Sequence, residues 1–326
     1  MSEEAFSYGY RRHLSMFSLI SAARTTKSKV PFDPVGRPFP LSNAPSDTLT
    51  PMNAATIDAL RSHIDQIDDQ IQDLLVARFA LVERIGMLKT DGGLALRPGR
   101  EAEILRRLAA RHQASFPKTI VLRIWREILG GTTNHQSPLT VAVAQSEQSR
   151  GFVELARNHF GSVTPIQTVT GAGQVVRMVS EDRAPVGIVP LPGDANEGSP
   201  DTWWISLAGD NAPRIITRLP FFSIDMQDPV EGFVIAKRPH EQTGADRTLM
   251  VLETSAAISR DMLRGLLSKA DFEPTETAAS ARMGDTLFHL VEVEGWVMAG
   301  DTRLNALVRD QIQHAAIVGG YPIPLI

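Results

Sequence analysis

The sequence predicts a multidomain protein in which an all-α region of three helices precedes two mixed regions, the first α/β and the second α+β. Three observations support this fold class. Apolar residues recur at helical spacing, without an interrupting proline, from residue 57 to residue 89. After residue 138, short apolar runs that are typical of strands alternate with helical patterns. From residue 248 onward, the order is strand, helix, two strands, helix and strand.

Composition limits the classes of function. The chain of 326 residues has a formal net charge of -4, which does not indicate a large basic surface for nucleic acid. It contains no cysteine, so disulfides and thiolate chemistry are excluded, and a reducing compartment is consistent with this. No apolar run approaches the roughly 20 residues that a membrane helix needs. We therefore expect a cytoplasmic protein with a small-molecule substrate and no nucleic-acid or membrane partner.

The first fifty residues differ from the rest in composition. They are basic and contain the proline-rich stretch VPFDPVGRPFPLSNAP. The apolar stretch HLSMFSLISAA lacks the uninterrupted core and the cleavage site of a signal peptide. We expect residues 1–50 to be a disordered leader, and a targeting or docking role is the alternative.

The first helical pattern is long and contains two cations in its apolar stripe. At about 100° per residue, one narrow sector collects five apolar residues, namely Ile64, Ile71, Leu74, Val82 and Ile85. A span of more than thirty residues exceeds that of ordinary globular helices, so we expect a partner helix along its length, in an intertwined homodimer. Arg78 and Lys89 are eleven residues apart, which is three turns plus about 20°, so both point into the stripe.

Two buried cations without partners would cost several kcal/mol each. Their stems can lie along apolar surface while the charges reach water or meet acids within the dimer. Alternatively, a bound anion completes the site. The pattern of this helix alone leaves both interpretations open.

Two shorter helices are predicted after Gly92 and Gly93. The second helix, REAEILRRLAARH, has Arg100 and Glu101 in its first turn, where the helix dipole favours the acid but not the cation. The third helix begins near Pro117. Steps of four from its apolar face reach two polar residues near its end, namely Thr132 and Gln136.

The order and spacing of these residues resemble the all-helical class of chorismate mutase, over nearly all of residues 55–137. The resemblance implies that Arg78 and Arg61 hold the two substrate carboxylates, with Arg61 supplied by the partner protomer. It implies that Lys89 binds the ether oxygen and a carboxylate, while Gln136 binds the ether oxygen from the other side. The matching positions are Arg61, Arg78, Lys89, Arg100, Glu101, Thr132 and Gln136.

The remaining positions complete the implied site. Glu101 would hold the ring hydroxyl, Arg100 would support a carboxylate, and Thr132 stands where the family often has serine. Arg97 replaces an acid that many members have three residues before the arginine of the Arg-Glu pair. We therefore expect Lys89, Gln136 and Glu101 to be catalytic, and the other positions, including Arg97, to bind substrate.

The residue types suit the implied reaction, a pericyclic rearrangement of chorismate to prephenate within one molecule. It needs no nucleophile, metal or cofactor. The protein must hold a flexible dicarboxylate in its reactive shape and stabilise charge on the breaking ether oxygen. Arginine offers paired donors for carboxylates, and lysine offers a compact charge. In this interpretation, the substrate neutralises the cations of the first helix.

The order of the regions resembles the bifunctional P-protein, chorismate mutase–prephenate dehydratase. VGIVPLPGD is similar to a strand of the dehydratase, and EGFVIAKRP stands at its Thr-Arg-Phe motif, where Phe233 alone matches and Glu231 and Gly232 replace the other two residues. The segment of about one hundred residues is much shorter than a working dehydratase domain, so we expect this activity to be lost. The predicted strands are LTVAVA, PVGIVPLP, TWWISLA, PRIITRLPFFSI and EGFVIAKRP, with GFVELARNHFG as a helix.

The last 86 residues, 241–326, resemble an ACT regulatory domain. VGGYP is similar to the ending of the dehydratase family's version, whereas SRDML and ASAR replace its effector loops. An aromatic amino acid is the implied effector, but these replacements favour a role in dimerisation. The predicted elements are strand 248–253, helix 259–270, strands near 272–279 and 286–295, helix 302–314 and a strand at 315–325.

We thus expect a leader at 1–50, a helical chorismate mutase domain at 51–137, a dehydratase-like domain at 138–240 and an ACT-like domain at 241–326. The expected function is chorismate mutase, an isomerase of aromatic amino acid biosynthesis in the shikimate pathway. One alternative is isochorismate pyruvate-lyase, which shares the fold, although that family tends to lack the acid at Glu101. Another is a non-catalytic shikimate-pathway sensor, although the missing effector motifs weigh against it.

Overall fold

The computed structural model describes residues 54–88, 93–145, 151–193, 200–222, 230–255, 258–309 and 311–325. The chain divides into two compact units, residues 1–67 and residues 68–326. The expected leader and Lys89 lie outside the described residues. Within the described residues, no helix is long and apolar enough to cross a bilayer.

The predicted helical region is confirmed in the described chain. Its helices are α1 (Ala54–Leu88), α2 (Pro98–Arg111) and α3 (Lys118–Gln136). Much of the predicted stripe of α1 is exposed in the single chain: Leu74 is 70% exposed and Ile85 is 53% exposed. The half-buried positions of α1 in the second unit lie towards one side of this stripe and include two of its members, Arg78 and Val82. They form a row, at spacings of three and four, that contacts α3: Leu75, Arg78, Phe79, Val82 and Gly86.

Helices α2 and α3 share a core with residues from the region that follows them. Leu105 of α2 and Leu129 of α3 are nearly fully buried, and they pack in one cluster with Phe221 and Phe222. The two phenylalanines follow a strand of the mixed region. The apolar faces of α2 and α3 are therefore covered in part by a segment that lies about a hundred residues further along the chain.

A single mixed sheet follows the helices and contains nine strands in the described residues. Its spatial order is β2-β1-β3-β5-β4-β9-β6-β8-β7. The first five strands are β1 (Val141–Gln145), β2 (Ile166–Thr170), β3 (Val186–Pro190), β4 (Arg214–Leu219) and β5 (Gly232–Ala236). The last four are β6 (Asp246–Ser255), β7 (Pro274–Met283), β8 (Thr286–Glu294) and β9 (Ile312–Pro322).

The two halves of the sheet have the topologies that the sequence patterns predict. Strand β1 pairs in parallel with β2 and β3, and the connections contain α4 (Phe152–Phe160) and α5 (Ala172–Ser180), as expected for an α/β unit. In the C-terminal half, β6 pairs antiparallel with β8 and β9. Helices α6 (Arg260–Lys269) and α7 (Thr302–Leu307) complete the predicted order of strands and helices.

Two predicted elements are wrong. The segment TWWISLA is part of a 3-10 helix, Pro200–Ala208, rather than a strand. Trp203, Trp204 and Leu207 are all buried. Successive side chains of a strand point to opposite faces, so these three could not lie together on one face of a strand. The helix predicted at 302–314 ends at Leu307, because Ile312 already belongs to β9 and pairs with β6.

The two halves of the sheet meet where β4 runs parallel to β9, with Ile215 opposite Gly319. A Cβ atom at Gly319 would lie 2.1 Å from the carbonyl oxygen of Ile215, and its φ of 131° also favours glycine. Both halves contribute to one core, in which Trp204 and Leu207 pack with Leu249 of β6. The mixed region is therefore continuous across residue 240.

Candidate functional site

Helices α1 and α3 flank an open groove of about 350 Å³ in the second unit. Its walls are largely apolar, and one cationic side chain, Arg78, lies among them. Because apolar walls with few polar groups are typical of small-molecule sites, this groove is the candidate functional site. The lining residues are Leu75, Val76, Arg78, Phe79, Glu127, Ile128, Gly131 and Thr132.

Arg78 is the electrostatic centre of the groove. Its Nη1 atom is buried and has no hydrogen-bond partner among the described residues. The guanidinium lies 5.6 Å from the ring centroid of Trp125, which offers a favourable cation–π contact. Burial lowers the pKa of Arg78 from its ordinary value, but arginine stays protonated in proteins. The groove thus contains a partly desolvated positive charge.

The acid nearest to the groove does not neutralise this charge in the structure. Glu127 lines the groove, but both of its carboxylate oxygens accept hydrogen bonds from the backbone N–H of Ser162, at 3.2 and 3.1 Å. The Ser162 hydroxyl also donates to Oε2 of Glu127 at 3.0 Å. No ion pair of Arg78 occurs among the described residues, so no protein acid there neutralises its charge.

Gln136 lies about one turn after Thr132 on α3. The Thr132 hydroxyl contacts the carbonyl oxygens of Ile128 and Leu129, at 2.9 Å each. The Gln136 side-chain amide donates to the carbonyl oxygen of Val82 at 2.7 Å. An amide nitrogen has two hydrogens, so the second donor of Gln136 is available to another acceptor.

Glu101 does not line this groove. It is buried, and Arg126 of α3 donates to its carboxylate with an Nη1–Oε2 distance of 2.6 Å. The guanidinium of Arg126 also lies over the ring of Phe221. The carboxylate of Glu101 is therefore engaged by a protein cation, and its contact with a substrate hydroxyl stays a prediction.

The helical register explains the placement of Glu101. It lies four residues before Leu105 and eight before Ala109, on the buried face of α2. Arg126 lies between the buried Leu122 and Leu129 on α3. A cation on the apolar face of a helix indicates that an acid of the same protein lies nearby.

The other predicted residues lie apart from the groove lining. Arg97 forms an ion pair with Glu241, so its charge is already matched. Arg100 is exposed and pairs with Glu103 at 2.9 Å. In the first unit, Arg61 is exposed and pairs with Asp58 at 3.3 Å. The described residues thus bring Arg78 and Thr132 to one groove, with Gln136 one turn further along α3.

Comparison with known proteins identifies this helical segment. Residues 60–137 match the family model described as chorismate mutase type II. Residues 60–137 are a type II chorismate mutase domain. This match covers α2, α3 and most of α1, so the groove between α1 and α3 lies within the mutase domain.

Two curated relatives contain a mutase and a dehydratase in one chain. The bifunctional chorismate mutase/prephenate dehydratase of Neisseria gonorrhoeae is 30% identical over 148 residues, which cover 44% of this chain and 40% of that protein. The protein of the same name from Aquifex aeolicus is 30% identical over 140 residues, which cover 40% of this chain and 38% of that one. The match spans about two fifths of the length of these relatives.

Among solved structures, the chain is similar to the prephenate dehydratase from Arthrobacter aurescens in complex with L-Phe. The similarity covers 58% of this chain and 92% of that chain, with 13% sequence identity and a TM-score of 0.43.

The donor set of the mutase domain is suited to binding an organic anion. It offers the guanidinium of Arg78 and the amide of Gln136 in apolar surroundings, where charge-assisted hydrogen bonds are stronger than in water. Among the described residues, no cluster of three histidine or acidic side chains could hold a metal ion.

Proposed function

We propose that this protein is a chorismate mutase, which isomerises chorismate to prephenate in the biosynthesis of phenylalanine and tyrosine. One observation carries the proposal: the mutase domain has a buried guanidinium nitrogen, Nη1 of Arg78, without a partner among the described residues. Leaving such a donor unused costs free energy. A substrate carboxylate in the groove would accept hydrogen bonds from this guanidinium once the side chain turns towards it.

The proposed first step is binding of the substrate dianion. One carboxylate accepts hydrogen bonds from Arg78, while the apolar walls provided by Leu75, Phe79 and Ile128 surround the ring. Binding prevents the flexible enolpyruvyl side chain from adopting its extended conformations. Because the reaction occurs within one molecule, this restriction of shape lowers the barrier directly.

The proposed second effect is stabilisation of the transition state. As the ether bond breaks, negative charge grows on its oxygen, and a donor placed there favours the transition state over the ground state. The free N–H of Gln136 is one such donor. Lys89 follows the described end of α1 directly, and we assign to it the second donor, on the opposite side of the oxygen.

A homodimer would complete this site. In the second unit, α1 exposes a row of large apolar side chains: Leu74 is 70%, Leu81 59%, Ile85 53% and Leu88 81% exposed. A row of this kind at helical spacing indicates a missing partner, and a second copy of α1 offers a matching row. In this assembly, Arg61 of the partner subunit would hold the second carboxylate.

We further propose that the chain has no prephenate dehydratase activity. Glu231 and Gly232 occupy the positions of the family's threonine and arginine, and Glu231 forms an ion pair with Arg218 at 3.3 Å. A Cβ atom at Gly232 would lie 2.7 Å from the carbonyl oxygen of Val189. The backbone there leaves no room for a larger side chain.

The decisive experiment is incubation of the purified full chain with chorismate, followed by product analysis. Prephenate supports the proposed mutase, whereas pyruvate with 4-hydroxybenzoate or no turnover contradicts it. Isochorismate is supplied in parallel, and release of pyruvate from it would support the lyase alternative. Addition of prephenate with detection of phenylpyruvate tests the loss of dehydratase activity. Repeating the mutase assay with L-phenylalanine tests whether an aromatic amino acid acts as effector.

A further inference from the structure

Glu241 connects the start of α2 to the loop between β5 and β6. Its carboxylate accepts a hydrogen bond from the backbone N–H of Gly99 at 3.0 Å. It also accepts from Arg238 at 2.9 Å and forms an ion pair with Arg97. The side chain of Glu241 is only 17% exposed. One acid from a distant loop therefore meets three donors at the beginning of a helix of the mutase domain.

The start of α2 needs such an acid. The first N–H groups of a helix have no acceptor within the helix, and the helix dipole puts partial positive charge at this end. No side chain of the preceding residue caps α2. Without Glu241, the cations of Arg97 and Arg238 would face this positive end and repel it.

The contact is built at close range. A Cβ atom at Gly99 would lie 2.7 Å from Cβ and 2.9 Å from Oε2 of Glu241, so glycine permits the carboxylate to reach the backbone. A second anchor lies further along α2, where Arg106 donates to the hydroxyl of Thr243 and to the carbonyl oxygen of Ala245, both at 2.8 Å. The β5–β6 loop thus fixes both the start and the direction of α2.

We propose that Glu241 is a positioning residue for the mutase reaction, and this rests on the proposed function. Arg100 and Glu101 directly follow the capped Gly99. Glu101 pairs with Arg126 of α3, the helix that lines the groove. The position of α2 against α3 then depends on a residue about 140 positions away in sequence. The C-terminal half is accordingly part of the mutase structure and more than an appended module.

The test removes the carboxylate and then returns one from solution. In the full chain, Glu241→Ala should lower kcat/KM for chorismate by about tenfold to a hundredfold, the scale for a small misplacement of binding groups. Glu276→Ala, which removes an exposed acid of β7, should have no effect. Sodium acetate, but not sodium chloride at equal ionic strength, should restore part of the loss in Glu241→Ala. General destabilisation would not respond to acetate in this way.

Two further measurements keep the outcome decisive. Gly99→Ala retains Glu241 but forces its carboxylate away from the start of α2. This variant should show the same loss of kcat/KM, and acetate should not restore it. Hydrogen exchange of the first-turn amides of α2 should accelerate in Glu241→Ala and slow again with acetate. Equal kcat/KM for the Glu241 and Glu276 variants, or a loss that acetate and chloride restore alike, overturns the proposal. Absence of wild-type turnover overturns the mutase function itself, and exchange at α2 then still reports whether Glu241 holds the helix.

Discussion

The adjacent glycines Gly130 and Gly131 of α3 allow a sharp test of how the mutase domain is fixed to the α/β region. A Cβ atom at Gly130 would lie 2.2 Å from the carbonyl oxygen of Phe160, at the end of α4. A Cβ atom at Gly131 would meet nothing within 4 Å. Gly130→Ala and Gly131→Ala are therefore the same chemical change in the same helix, with opposite surroundings.

The expected magnitudes follow from this geometry. Real Cβ atoms essentially never come within 3.0 Å of such a neighbour, so α3 and the end of α4 must move apart by roughly 0.8 Å at Gly130. Because the obstacle is backbone and cannot rotate away, we expect a cost of about 2–3 kcal/mol, near the upper end for overpacking. Both variants gain the same helix propensity, up to about 1 kcal/mol. Gly131→Ala should therefore stabilise the protein, and Gly130→Ala should destabilise it by about 1–2 kcal/mol.

The assay is urea unfolding of the full chain, followed by far-UV circular dichroism. All variants are measured at one protein concentration, because association would shift the midpoint. The difference between the two variants isolates the clash, since the propensity gain cancels. Equal free energies of unfolding, within about 0.5 kcal/mol, would refute the close contact between α3 and α4 and the packing that depends on it.

The remaining predictions concern the groove and the pH response. Arg78→Gln should lower kcat/KM for chorismate by about a hundredfold or more, because the carboxylate loses its charged partner. Arg84 is an exposed cation on the same helix, and Arg84→Gln should leave kcat/KM unchanged. Equal losses in the two variants would remove Arg78 from the site. Lys89→Ala should abolish most turnover while the circular dichroism spectrum stays unchanged, and retained turnover would contradict its role at the ether oxygen. Burial lowers the pKa of His240 from 6.5 to about 4. This imidazole therefore binds a proton more readily in the unfolded chain than in the folded protein. Stability should therefore be full above pH 6.5 and fall by about 3 kcal/mol as the pH drops towards 4. His159, whose pKa is also lowered well below its ordinary value, adds to this slope, and His240→Gln should remove only its own share in urea titrations at each pH.

Several features of this protein follow from local patterns in the sequence. The helical region could be predicted because proline-free periodicity and glycine breaks act over a few residues, and the family match over residues 60–137 agrees. The position of Arg78 relative to its neighbours on α1 is likewise a matter of helical angle alone. The order of strands and helices after residue 248 could also be predicted, because each element is bounded by its own turn residues.

Local patterns were insufficient where burial depends on distant partners. TWWISLA has the composition of a strand, yet it forms a 3-10 helix because Trp203 and Trp204 are both drawn into a core shared with the C-terminal strands. The helix predicted to reach residue 314 is shorter because Ile312 pairs with β6. In both segments, pairing and packing outweigh the modest intrinsic preference of the chain.

The sequence by itself determined the three helices of the mutase domain and that Arg78 lies among apolar residues. Only the tertiary structure decided which of these charges are already matched. Glu101 meets Arg126, and Arg97 meets Glu241, whereas the buried nitrogen of Arg78 meets no partner among the described residues. The physical reason is that helical angle is set within a few residues, while a charge is satisfied by whatever the folded chain brings within a few ångströms.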